Sequence, residues 1–97
     1  MAIGVLFDFP GVTQAQYDQT LRALKSDGPF GKLSDWPVKG VQFHYAGPTT
    51  TGWRVFDVWD SEAAFKKFGE VLMPILKANG FPEGTMQISP VHKMIKA

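Results

Sequence analysis

Between Gly52 and Phe68, GWRVFDVWDSEAAFKKF, the spacing of apolar side chains switches from every second residue to every third or fourth. Trp53, Val55, Asp57 and Trp59 share one face of a strand, while Arg54, Phe56 and Val58 take the other. Asp60 and Ser61 then stop the strand and offer oxygens to the free amides of a helix start. The helix that follows carries Phe65, Phe68, Leu72 and Ile75 or Leu76 on one face, with Pro74 predicted to kink it. Asn79-Gly80 ends it as a left-handed cap, and Phe81-Pro82 prevents continuation.

The first half of the chain reads in the same way. Ile3 to Phe9 is a β-rich run closed by Pro10-Gly11. Thr13 with Gln16 three positions on is the pattern of a capping box, and Tyr17, Leu21 and Leu24 then recur at helical spacing. The helix should end near Ser26 to Gly28. Residues 26–37, SDGPFGKLSDWP, hold glycines and prolines that break regular structure, so a long loop carries Phe30 and Trp36. Val38 to Ala46 reads as the second strand, with Val41, Phe43 and Tyr45 on one side and Gln42 and His44 on the other. Residues 47–52, GPTTTG, turn it into the strand described above, and Thr85 to Ile95 supplies the last one.

The order β-α-β-β-α-β predicts a ferredoxin-like α+β domain over residues 1–97, a four-stranded antiparallel sheet with both helices on one face. All four strands read as apolar on both sides: Ile3, Val5, Phe7 and Phe9 oppose Leu6 on the first, and rings and branched residues occupy both sides of the third. Two helices cover one side only. The second apolar face needs a cover of its own, and a second copy of the chain supplies it, which predicts a homodimer packed sheet to sheet.

Composition narrows the function. A chain of 97 residues buries only about 60 to 65% of its unfolded surface, which again favours association. Ten basic residues against nine acidic ones leave a net charge of +1, scattered along the chain, so no nucleic-acid footprint is expected. There is no cysteine, hence no disulfide, thiolate nucleophile or zinc-thiolate site. The start, MAIGVLFDF, lacks a basic leader and no apolar run approaches a membrane span of about 18 residues, so a cytoplasmic protein without a membrane partner is expected.

The chemistry must come from polar residues on apolar strands: His44, Asp57 and His92. With a turn centred near Thr49 and Thr50, His44 falls opposite Val55 and diagonal to Asp57, within reach of an imidazole to carboxylate hydrogen bond. Such a pair fixes the tautomer and provides a general acid or base suited to neutral pH; a one-residue slip would put the partners on opposite faces. His44 and Asp57 are therefore the candidate catalytic pair, with Trp53, Trp59, Phe68, Tyr45 and His92 as candidate substrate-binding residues. Each also has a structural reading: a mid-strand Asp as a hydrogen-bonded group, the tryptophans as core rings, and Tyr17 and Tyr45 as simple hydroxyl donors. The last strand lies at the far edge from the second, so His92 and His44 should not meet within one subunit. Two widely separated histidines carry no metal-ligand spacing, and no phosphate-binding glycine loop or serine nucleophile elbow is present.

The strand ending DVWDSEAAF before an aromatic-studded helix, the element order and the length resemble the dimeric α+β barrel superfamily, within it the antibiotic-biosynthesis-monooxygenase-like domains. HYAGPTTTGWRVFDVWDSEAAF and PVHKM look most like its small members of uncharacterised function. The resemblance covers nearly the whole chain. It implies a pocket between the sheet and its own helices, and for some members oxidation of aromatic polyketides by dioxygen with no metal or flavin cofactor, for others degradation of heme. Trp59 matches the pocket tryptophan of the cofactor-free enzymes, but the Asn expected one strand turn earlier is Val55. The heme-degrading branch carries a Trp and an iron-ligating His along the second helix, where this chain has Phe68 near the first place and no histidine, so the resemblance disfavours heme degradation.

Two functions follow. One is a monooxygenase-like enzyme, or an isomerase or cyclase of the same fold, in which His44 and Asp57 move a proton on a small apolar or aromatic ligand. The other is a noncatalytic ligand-binding or scaffold dimer. The residues 26–37 loop acts as a lid over the pocket in the first and as a plug in the second. A cavity of about 300 Å³ or more beside Trp59, faced by His44 and Asp57, is the observation that separates them.

Overall fold

A computed structural model describes residues 1–96. Strand β1 (Ile3–Pro10) leads to helix α1 (Gln14–Leu24), then to the hairpin of β2 (Val41–Pro48) and β3 (Gly52–Trp59), helix α2 (Glu62–Ala78) and strand β4 (Thr85–Pro90). The sheet order is β2-β3-β1-β4 with every neighbour antiparallel. This is the ferredoxin-like α+β arrangement that the alternation of periods predicts.

Local chemistry sets the helix ends. The Thr13 hydroxyl accepts from the Gln16 backbone N–H at 3.3 Å, and the Thr13 N–H donates to Gln16 Oε1 at 3.0 Å, so the capping box is complete. Helix α1 stops at Leu24, earlier than the spacing suggests, because Lys25 turns to extended backbone while its N–H still caps Leu21. At α2 the Ser61 hydroxyl accepts from Ala64 N. The helix continues through Pro74 and closes when Gly80, at φ +71°, lets its N–H reach Lys77 O and that of Phe81 reach Leu76 O. These two bonds form a Schellman motif, and Phe81 joins Leu76 in the core beneath it.

The registers place every strand side chain. One face holds the cross-strand rows Val41-Trp59-Ile3-Pro90, His44-Asp57-Val5-Ile88 and Ala46-Val55-Phe7-Met86. The other holds Phe43-Val58-Gly4-Ser89, Tyr45-Phe56-Leu6-Gln87 and Gly47-Arg54-Asp8-Thr85. Both helices lie on the first face, where two core clusters form: Ile3, Val5, Trp59, Phe65 and Phe68 in one, Phe9, Val12, Trp53 and Leu76 in the other. They leave the β4 edge of that face uncovered, with Met86 and Ile88 half exposed.

Several expectations are corrected. Strand β2 begins at Val41, because Gly40 turns the chain at φ +119° and its carbonyl takes the Asp60 N–H. A bulge between Val41 and Phe43 then sends Val41 to the helix side, away from Phe43 and Tyr45. The loop is not wholly irregular, since Leu33–Asp35 forms a turn of 3₁₀ helix. Strand β4 ends at Pro90 rather than Ile95, and its outward residues Thr85, Gln87 and Ser89 are polar, so that face is apolar on three strands only.

Gly52 is required by close approach: a Cβ there would lie 2.1 Å from the Phe9 carbonyl oxygen. Gly52→Ala is expected to destabilise the domain by about 2 kcal/mol or more, against about 1 kcal/mol for Thr13→Ala at the helix cap. Urea denaturation of the two variants checks the ranking.

Candidate functional site

Strand register builds the site. Asp57, in the middle of β3, is 3% exposed, and a carboxylate so placed requires a partner. Its partner is His44, directly opposite on β2, with Nδ1 2.5 Å from Asp57 Oδ1. The turn is centred between Thr50 and Thr51, one residue later than expected, which moves the pairing by two residues and so keeps both side chains on the helix face. The predicted pair exists, as direct neighbours rather than diagonal ones.

A third member comes from α1. Tyr17 Oη lies 2.6 Å from His44 Nε2, and the two rings are parallel to within 7°. An ionised carboxylate only accepts, so facing one Nδ1 carries a proton, and when the ring is neutral Nε2 accepts from the Tyr17 hydroxyl. The result is a chain from Tyr17 through His44 to Asp57. Burial, then the charges of Asp57 and Asp18, push the Tyr17 phenol up to about 12, so it stays protonated at neutral pH. Helical spacing placed Tyr17 on the core face with Leu21 and Leu24, but its partner depended on where α1 crosses the sheet, which periodicity does not encode.

Tyr17, His44 and Asp57 face one cavity between sheet and helices, its remaining walls almost entirely apolar and including Phe68 and Leu72. Its volume is about 50 Å³, well below the 300 Å³ set as the mark of a preformed substrate site. The shortfall has a visible cause. Phe30 and Trp36 from the residues 26–37 loop turn into it, packed edge-on at 4.5 Å, with Trp36 against His44 at 4.9 Å. Asp35 holds the loop in place, accepting from Gly31 N, Lys32 N and Lys25 Nζ at 2.9 to 3.0 Å. Those bonds, the Gly31 amide first and Lys25 next, lower the Asp35 carboxyl to about 2.

Most of the remaining candidates lie outside the cavity. Phe68 lines the cavity. Trp53 and Trp59 are buried just behind its wall, Trp53 against Tyr17 at 5.2 Å and Trp59 against Phe68 at 5.1 Å, and their indole N–H groups have no partner among the described residues. Tyr45 is half exposed on the opposite face of the sheet, beside Phe56, because β2 alternates it away from His44. His92 follows the end of β4, exposed and away from the cavity, and does not meet His44. Among the described residues no cluster of three or more metal-ligating side chains occurs, and no helix is long and apolar enough to cross a membrane.

No protein-family model and no curated protein matches the sequence. Solved structures do. A single-residue variant of SnoaB, a cofactor-independent oxygenase from Streptomyces nogalater, superposes with a TM-score of 0.63 at 9% identity over 99% of this chain and 97% of that one. A dimeric ferredoxin-like protein of unknown function from Thermobifida fusca gives 0.61 at 16% identity, covering 94% and 92%. A candidate monooxygenase from Shewanella loihica gives 0.59 at 14% identity, covering 96% of both. The ferredoxin-like α+β fold is shared with these structures, as the sequence resemblance implies.

The Asp35 clamp has a definite pH window. A carboxyl lowered in the folded protein stabilises above its ordinary value near 3.8 and loses that contribution as pH falls through about 2. The Trp36 indole NMR signal is expected to hold position down to about pH 4 and to move toward its unpacked shift between about pH 4 and 2. Asp35→Asn should show the unpacked shift already at pH 7.

Proposed function

We propose that this chain is a small, cofactor-independent, monooxygenase-like enzyme acting on an apolar or aromatic, polyketide-like substrate between the sheet and its helices. The observation that carries the reading is the His44-Asp57 pair, hydrogen-bonded at 2.5 Å and facing a cavity with otherwise apolar walls. A buried carboxylate and imidazole in such surroundings orient one another and handle a proton. Removing that proton from an activated ring leaves an electron-rich anion able to reduce dioxygen. One oxygen atom then enters the substrate and the other leaves as water with two hydrogens. For an isomerase or cyclase the proton step suffices alone.

A ring enters only when Phe30 and Trp36 withdraw, so the loop acts as a lid in this reading. The closed volume of about 50 Å³ favours a second reading, a noncatalytic dimer in which the same side chains satisfy one another. Oxygen uptake with a panel of polycyclic hydroxy-aromatics separates the two. His44→Ala and Asp57→Asn are expected to stay folded and lose about 10²-fold or more in kcat. Turnover unaffected by both substitutions would refute the enzyme reading.

The working unit in this proposal is a homodimer. Tyr45 is 52% and Phe43 36% exposed, and they continue into Phe56 and Leu6 across the face that the helices leave open. The paired Asp8 and Arg54, 2.7 Å apart, lie on the same face and supply a polar contact within it. The dimeric ferredoxin-like neighbour from Thermobifida fusca supports association as a dimer. Sedimentation at micromolar concentration is expected to give a dimer, and Phe56→Asp a folded monomer.

A further inference from the structure

We propose that Tyr17, rather than His44, is the group that touches the substrate, and that it takes a proton from a neutral hydroxy-aromatic ring and passes one to His44. The inference rests on the reading of His44 and Asp57 as a proton-handling pair and specifies how that pair is reached.

Both nitrogens of His44 are already engaged. Nδ1 faces Asp57 Oδ1 at 2.5 Å and Nε2 faces Tyr17 Oη at 2.6 Å. The Trp36 ring packs against the same imidazole, steeply inclined to it. A substrate hydroxyl therefore has no free nitrogen to approach. The Tyr17 oxygen is different, since after donating its hydrogen to Nε2 it retains acceptor capacity, and Tyr17 is part of the cavity lining. Proton exit from the cavity runs through that oxygen.

The step balances without an oxidant. The substrate O–H and the Tyr17 O–H both break, a new O–H forms on Tyr17, and an N–H forms at His44 Nε2. The products are a substrate oxyanion and an imidazolium facing the Asp57 carboxylate, with no change in electron count. Tyr17 suits a relay because its phenol, pushed up to about 12, passes a proton on and does not rest as a phenolate.

The lining also selects the substrate's charge. No Lys or Arg borders the cavity, and Lys25 nearby is engaged by Asp35. The Thr20 hydroxyl is spent on Gln16 O and Asn79 Nδ2, which leaves the Tyr17 oxygen as the open polar contact besides the second oxygen of the Asp57 carboxylate. With Asp57 buried alongside, an anionic ligand would be repelled and left unpaired. The fit is a flat neutral ring with one hydroxyl.

Binding of 2-naphthol, naphthalene and 2-naphthoate, measured by fluorescence, tests this. The wild type is expected to bind 2-naphthol about tenfold more tightly than naphthalene, one hydrogen bond's worth, and 2-naphthoate most weakly. In Tyr17→Phe the preference for 2-naphthol over naphthalene should fall to about onefold with naphthalene binding unchanged. Retention of the preference in Tyr17→Phe, with its loss in His44→Ala, would place the substrate on His44 and overturn the relay while leaving the proton-handling pair intact. Failure of the wild type to bind any of the three would overturn both. If Tyr17→Phe does not fold, the wild type decides by NMR. A Tyr17 ¹³Cζ shift produced by 2-naphthol and not by naphthalene supports the relay, and an unmoved Tyr17 with a moving His44 Nε2 overturns it.

Discussion

A carboxylate in the middle of a packed sheet is the constraint around which the rest of the site is arranged. Asp57 occupies a position that an apolar residue would fill at no electrostatic cost, between Val55 and Trp59 on a buried face. Its charge is tolerated because His44 stands directly across the ladder, and His44 in turn is oriented by Tyr17 from the helix above. Each group fixes the next. The chain of three binds β2, β3 and α1 together where the two core clusters approach one another, with Phe7 and Leu72 packed against both.

That arrangement depends on a division of labour between the sheet's faces. The helix side buries Trp53, Trp59, Phe65 and Phe68 and leaves only a small hollow over His44. The outer side carries Leu6, Phe43, Tyr45 and Phe56, with the Gly4 position covered by the Phe56 ring, which a Cβ there would meet at 3.1 Å. In the proposed reading, packing of the first kind makes a site, and exposure of the second kind makes an interface. The loop that bears Phe30 and Trp36 governs the first. Its position is set by polar contacts of Asp35 near the surface, bonds of a kind that open more readily than the buried ladder.

Similarity at 9 to 16% identity establishes the fold and leaves the chemistry to the residues. Here those residues depart from the pattern expected of a cofactor-free oxygenase, since Val55 takes the place of an Asn. In the proposed reading the polar role falls one row along the sheet, to Asp57 and its partners. A fold shared with an oxygenase thus presents a different set of polar groups at a neighbouring position.

The order of elements, both helix caps, the antiparallel hairpin and the common face of Trp53, Asp57 and Trp59 were legible in the sequence, because each depends on side chains a few residues apart. The His44-Asp57 pairing was legible too, since an error of two residues in register preserves the face. What lay beyond the sequence arose from contacts between distant segments. The bulge at Val41 depends on how Gly40 meets Asp60, and the Tyr17 bond to His44 on where α1 crosses the sheet. The filling of the cavity by Phe30 and Trp36 depends on a loop clamped by Asp35. Periodicity assigns a residue to a face, but only the packed chain decides which neighbour it meets there and how much space remains between them.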